Sequence, residues 1–257
     1  PFTLDAAEAR DLAAMATHLR RVLSVYQNRR FDADFLTLRE VLARGRVGRP
    51  VYFESHFDRY RPGVRERWRE QDVPGAGLWV DLGAHLLDQA VQLFGRPDTL
   101  QLDTAKLRDG ARVEDHFHAL LRYESGAAAP LRVALHATAL AAHPAPRYLL
   151  HGTLGSYVKH GVDPQEDALR AGGRPGGEDW GVDVREGELA LPQDDGSMGV
   201  EAVPNLRGDY TRFYAAVRDA ILGRGAAPVT ADEAVDLMEL LDLGRRSVRE
   251  GRALAVR

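Results

Sequence analysis

No cysteine occurs anywhere in the 257 residues. That excludes disulfides, thiolate zinc sites and a cysteine nucleophile, and it fits a reducing, cytoplasmic location. No run of about 18 apolar residues is present, so no membrane-spanning helix and no membrane partner are expected. No signal-peptide pattern is visible either. Lysine is nearly missing: Lys106 and Lys159 are the only two, and the remaining basic residues are arginines. The formal net charge of −4 lacks the basic excess that a nucleic-acid partner calls for. A G-x-G-x-x-G turn, which sets amide groups around a pyrophosphate, is also missing. Gly75-Ala-Gly77 has Val80 where the third glycine belongs, Gly152-Thr-Leu-Gly155 lacks the leading pair, and Gly223-Arg-Gly225 runs into Pro228. The first residue is Pro1 and not Met, which raises the expectation that a further segment precedes it.

What is present is an ordinary globular balance, 44% hydrophobic and 28% charged residues, long enough for one large domain or two small ones. The most informative stretch runs from Gly77 to Gly95. Leu82, Leu86, Leu87, Ala90, Val91, Leu93 and Phe94 recur at helical spacing, and Gly95 followed by Pro97 marks the stop. Asp81, His85 and Asp88 fall at i, i+4 and i+7, on one face of that helix. Either water solvates this polar line or it points into a site. Asp and His at this spacing can share a divalent ion, but a closed site needs three or four ligands and the spacing supplies two; no metal is expected there.

Taken in order, residues 1–20 read as a lead-in and a helix, with Asp5 and Glu8 as a capping box and Leu12, Met15, Ala16 and Leu19 as its apolar stripe. Residues 22–26 read as a strand. Gln27 to Asp32 is a polar strand end, with Asp32 capping a helix that reaches Gly45. Residues 50–57 form a strand and 58–70 a charged, aromatic-containing loop, in which Arg59 and Arg61 are secondary candidates for a rim. Strands follow over 99–107, 114–123, 131–137 and 147–156, the short turns between them arguing for antiparallel pairing. His116 and His118 share a strand face, a spacing compatible with a metal, but no third ligand is obvious and a polar sheet face is the better reading. Residues 161–205 are rich in Gly, Pro and acid and read as irregular. Helices over 206–223 and from Thr230 or Asp232 to Val248, then a strand at 253–256, close the chain.

Gly77-Leu-Trp-Val-Asp81-Leu-Gly83-Ala-His85-Leu-Leu-Asp88 resembles the G-x-x-x-D-x-G-x-H-x-x-D signature of the Gfo/Idh/MocA oxidoreductases, the family of glucose–fructose oxidoreductase and inositol dehydrogenase. The resemblance extends along the chain. Pro1-Phe2-Thr3 is similar to the tail of an E-K-P motif whose lysine would stand just before Pro1. Asn28-Arg29-Arg30-Phe31 is similar to a segment near substrate and nicotinamide, and Gly152-Thr-Leu-Gly-Ser156 to a G-T-x-G-S turn. The fold implied is α+β, an open, mostly antiparallel sheet with helices on one face, after a truncated Rossmann remnant. Residues 1–27 would be that remnant and 28–257 the substrate-binding and oligomerisation domain, with the other sheet face meeting a second subunit in a homo-oligomer.

The activity implied is NAD(P)-dependent oxidation or reduction of a sugar, a polyol or a related hydroxyl compound, the main site for NAD or NADP lying upstream of this chain. A hydride leaves carbon only if the hydroxyl proton also leaves, and a histidine titrating near neutrality suits that proton. The resemblance assigns this role to His85 and an orienting role to Asp81. It places Asn28, Arg29 and His143 at the substrate, with Arg29 also near the cofactor. The alternative is a non-catalytic carbohydrate- or partner-binding domain, or the isolated C-terminal half of such an enzyme.

Overall fold

The structure, a computed structural model, describes residues 2–256. Its helices are α1 (Ala6–His18), α2 (Ala33–Ala43), α3 (Ala84–Phe94), α4 (Gln165–Arg170), α5 (Thr211–Ile221) and α6 (Ala231–Glu250). Its strands are β1 (Pro50–His56), β2 (Thr99–Ala105), β3 (His116–Tyr123), β4 (Leu131–Thr138), β5 (Tyr148–Gly152), β6 (Ser156–Lys159), β7 (Gly187–Pro192), β8 (Met198–Val203) and β9 (Leu254–Ala255). The architecture is α+β, an open and mostly antiparallel sheet with helices packed on it. The chain divides into two compact units: residues up to 25, 54–145 and from 229 on form the first, and 26–53 with 146–228 the second.

In the first unit the strands lie in the order β4-β3-β2-β9, with the Glu54–His56 end of β1 beside β4. In β3, Phe117, Ala119, Leu121 and Tyr123 are buried while His116, His118, Leu120 and Arg122 alternate onto the opposite face. Register sets His118 directly across from His136 on β4. α6 closes the buried face. Its N-terminus carries a capping box in which Thr230 accepts from the Glu233 amide and Glu233 accepts from the Thr230 amide. Leu237, Met238, Leu240 and Leu241 point inward, and Ser247 accepts from the Leu102 amide at 3.1 Å.

In the second unit the order is β8-β7-β6-β5, with the Pro50–Phe53 start of β1 beside β5. Phe53 stacks on Tyr148 at 5.8 Å, and Phe35, Leu38, Leu150, Tyr157 and Leu189 complete the core. Two charged pairs are buried with it. Lys159 donates to Asp183 at 2.8 Å, and Arg147 lies 3.4 Å from Asp34.

Several expectations are corrected. α1 buries Ala6 and Ala9 and leaves Leu12, Met15 and Leu19 exposed. The small face wins because it lets α1 close onto α6, where the Ala6 amide donates to Asp242 and Arg10 pairs with Glu239. Val22–Tyr26 is not a strand, having no ladder partner among the described residues. Asp32 stands at the N-cap of α2 but its side chain does not bond to the helix; Asp163 accepts from the Ala33 amide at 2.6 Å instead. The stretch 161–205 is more regular than its composition suggests, containing α4 and the β7–β8 hairpin. Ile221, expected inside, is 66% exposed at the end of α5. No helix among the described residues is long and apolar enough to cross a membrane.

Candidate active site

The expected single helix from Gly77 begins as a π-turn, Trp79–Gly83, and becomes α-helical at Ala84. Three residues force this start. Trp79 is 1% exposed, donates its indole N–H to the Leu241 carbonyl at 3.1 Å and meets Phe117 edge-on at 5.2 Å. Its ring is held between two glycines: a Cβ on Gly83 would lie 2.5 Å from it and one on Gly244 2.6 Å. Gly77 has φ +104°, and a side chain there would overlap the Glu114 carboxylate. That carboxylate accepts from the Trp79 amide, and the Leu78 amide donates to the Glu114 carbonyl at 3.0 Å. Glu114 therefore caps the π-turn at its N-terminus. Burial pushes the Glu114 carboxyl up from its ordinary value, against those amide bonds.

The π-turn changes how Asp81 and His85 relate. On a regular helix residues i and i+4 are about 40° apart around the axis. A turn with an added residue rotates less per step, so it brings Asp81 and His85 closer to one line. Both are half-buried, His85 in the first turn of α3. His85 interacts with neighbouring groups, and Asp81 is paired with Arg69 Nε at 3.0 Å. Asp88, expected on the same polar line, is 5% exposed.

Asp81 also lines a cavity with Arg59, Arg61, Arg69, Arg108 and Glu114, and His85 does not line it. The loop over this cavity is largely exposed, as its composition suggests, but it is anchored at Glu70, which is buried. Arg108, 9% exposed, pairs with Asp115 at 2.8 Å and Glu70 at 3.1 Å and donates to the carbonyls of Arg61 and Gly63. Burial pushes the Glu70 carboxyl up, but the Arg65 amide, Arg67 and Arg108 outweigh it and hold it below the usual range. Arg108 and Glu114 are the residues that sequence reasoning missed. Both lie in the connection between β2 and β3, and most of their partners are distant in the chain.

Asn28 and Arg29 belong to the second unit, and Asp81, His85 and His143 to the first. Asn28 opens a 3-10 turn, Asn28–Phe31, and is half-buried. The Arg29 side chain is 6% exposed and donates to Asp32 at 3.2 Å and Glu166 at 2.6 Å. Burial opposes its charge, but Asp32 and Glu166 outweigh that and keep it cationic. Asp32 also accepts from the Tyr210 hydroxyl at 2.8 Å; burial and Asp34 raise its pKa against Arg29. Arg29 thus holds the turn that presents Asn28. His143 is exposed in the segment between β4 and β5.

The described residues do not fit a dinucleotide's pyrophosphate. That group needs a glycine turn leading a strand into a helix. Gly152 and Gly155 close a hairpin between β5 and β6, Gly223 and Gly225 join two helices, and Gly75 and Gly77 follow an irregular loop. The chemistry available here is on the substrate side: an imidazole, a carboxylate one turn before it, and arginines near that carboxylate.

A family model described as "Oxidoreductase family, C-terminal alpha/beta domain" matches residues 39–256. The chain is 50% identical over 256 residues to the uncharacterized oxidoreductase YdgJ of Escherichia coli, covering 100% of this chain and 72% of that protein. It is 35% identical over 255 residues to a scyllo-inositol 2-dehydrogenase (NADP(+)) of Bacillus subtilis, covering 99% of this chain and 70% of that one. A solved oxidoreductase structure from Yersinia pestis superposes with a TM-score of 0.93 at 50% identity, over 100% of this chain and 71% of that chain.

Proposed function

Since the chain belongs to the Gfo/Idh/MocA oxidoreductase family, we propose that it supplies the substrate side of an NAD(P)-dependent dehydrogenase of sugars, polyols or related hydroxyl compounds. When bound, a nicotinamide would supply the hydride acceptor or donor. His85 takes the hydroxyl proton as the carbinol becomes a carbonyl and returns it in the reverse direction. Asp81, held by Arg69, stands one turn before His85 and takes the orienting role. In the first unit the exposed His143 is assigned to substrate, and in the second unit Arg29 fixes the turn carrying Asn28, the two residues assigned there to substrate and cofactor. A relative named for scyllo-inositol and NADP(+) supports a cyclic polyol as the first substrate to try.

The observation that supports this reading is the π-turn Trp79–Gly83, which carries Asp81 and runs directly into the first turn of α3 with His85. The test is turnover of inositols and sugars by the full-length protein, followed by reduced-nicotinamide absorbance. His85→Ala should lower turnover by about 10²–10⁴-fold with the fold intact. Turnover near wild type would overturn the assignment. The same reading makes the protein a cytoplasmic homo-oligomer joined through the sheet face that carries His116, His118 and Leu120; a monomer by sedimentation would count against that interface.

A further inference from the structure

Four of the nine histidines gather on one face of the first unit's sheet. His136 on β4 is the centre. Its ring lies 5.2 Å from that of His56, 5.0 Å from His116 and 5.9 Å from His118, centroid to centroid. Tertiary pairing causes this: His118 sits across from His136, and His56 ends the neighbouring strand. Asp58 stands between two of the imidazoles. Its carboxylate is 2.8 Å from His136 Nδ1 and 3.6 Å from His56 Nδ1.

We propose that His56, Asp58 and His136 form a binding site for a divalent transition cation of Zn²⁺, Co²⁺ or Ni²⁺ type, with Glu54 as its outer carboxylate. Three observations converge on it. The donor set is two imidazole nitrogens and a carboxylate oxygen, which suits borderline cations and not Mg²⁺ or Ca²⁺. The three donor atoms lie within 4.8 Å of one another. A tetrahedral ion with bonds of about 2.0–2.1 Å separates its donors by about 3.4 Å, and the distances of 2.8 and 3.6 Å around Asp58 bracket that value. The two contacts use different Asp58 oxygens, so a bound ion would draw the two rings toward a single carboxylate oxygen.

The third observation is independent of the other two. His56 Nε2 donates to the Glu54 carboxylate at 2.9 Å, which turns His56 Nδ1 toward Asp58. Metal-binding imidazoles characteristically give their second N–H to a carboxylate in this way, fixing tautomer and ring orientation. All four residues are half-buried, and His116 and His118 border them on the sheet face proposed above to meet a second copy. Such an ion would tie the end of β1 to β4 without contact with His85.

The test uses chelator-treated full-length protein titrated with Co²⁺, read by ligand-field absorption and by calorimetry, then repeated with Zn²⁺. The expected result is one ion per chain, with absorption intensity typical of four-coordinate cobalt and an upward shift in melting temperature. His136→Gln should abolish saturable binding, Glu54→Gln should weaken it about 10–100-fold, and His143→Gln, at the exposed histidine in the same unit, should leave it unchanged. Matching circular dichroism of the variants and wild type separates loss of the site from loss of the fold. Wild-type binding that is non-stoichiometric, or equal in His136→Gln, would overturn the proposal. An unchanged affinity in Glu54→Gln would overturn the role given to Glu54.

Discussion

Gly77→Ala offers a quantitative test of how the active-site helix is started. Two separate costs apply. Gly77 has φ +104°, a conformation in which a Cβ crowds the backbone, at about 1–2 kcal/mol. The new methyl would also overlap the Glu114 carboxylate, and forcing extra volume into a packed site costs about 1–3 kcal/mol. The two together predict a loss of about 2–5 kcal/mol. A double-mutant cycle separates them. Glu114→Ala alone removes the carboxylate that accepts from the Trp79 amide and should cost about 0.5–2 kcal/mol, as for other capping groups. In the double variant the overlap disappears while the backbone strain stays. The pair should therefore be less damaging than the sum of the singles by about 1–3 kcal/mol. Urea unfolding followed by tryptophan fluorescence measures all four proteins. A Gly77→Ala change within about 0.5 kcal/mol of wild type, or strict additivity in the cycle, would refute the argument that Gly77 is there to admit Glu114.

Two further predictions concern the scaffold. Asp183→Asn should destabilise by about 3–5 kcal/mol by stranding the buried Lys159 ammonium, whereas Lys159→Met should cost much less because Asp183 keeps Arg185 at 3.1 Å; equal losses in urea unfolding would contradict this. Burial pushes the Asp183 carboxyl up, but Lys159 and Arg185 outweigh it and hold it below its ordinary value. Its contribution is therefore present above the unfolded carboxyl pKa and fades as pH falls through the folded value, so the gap between wild type and Asp183→Asn should narrow in acid. Thr230→Ala removes one half of the α6 capping box and should cost about 0.5–2 kcal/mol by thermal or urea unfolding, with Thr230→Ser restoring most of it.

The order of elements was readable because their signals are local. Thr230 with Glu233 marks the start of α6, the alternation Phe117, Ala119, Leu121, Tyr123 marks a strand, and Gly95 stops α3. The proximity of Asp81 and His85 in sequence was enough to single out one stretch as the candidate site. What was misread shows where local signals stop. The apolar positions of α1 are real, yet the helix buries its alanines, because close approach to α6 favours the small face. Asp32 occupies an N-cap position, yet Asp163, 131 residues further along, supplies the bond. The charged loop at 58–70 is mostly exposed, as its composition suggests, yet Arg108 pins it from outside the segment through Glu70 and the carbonyls of Arg61 and Gly63.

The spacing and glycines of residues 77–88 were sufficient for the family resemblance, since they lie within a few turns of one another, and the resemblance in turn implied the α+β class and the roles proposed for His85 and Asp81. The π-turn was beyond their reach, because it exists only where Trp79 is trapped against Gly244 and Glu114 reaches under Gly77. The grouping of His56, Asp58 and His136 was beyond it too. Those three side chains meet because hydrogen bonding sets strands about 5 Å apart in one register, and register is a property of the paired sheet that no single strand carries.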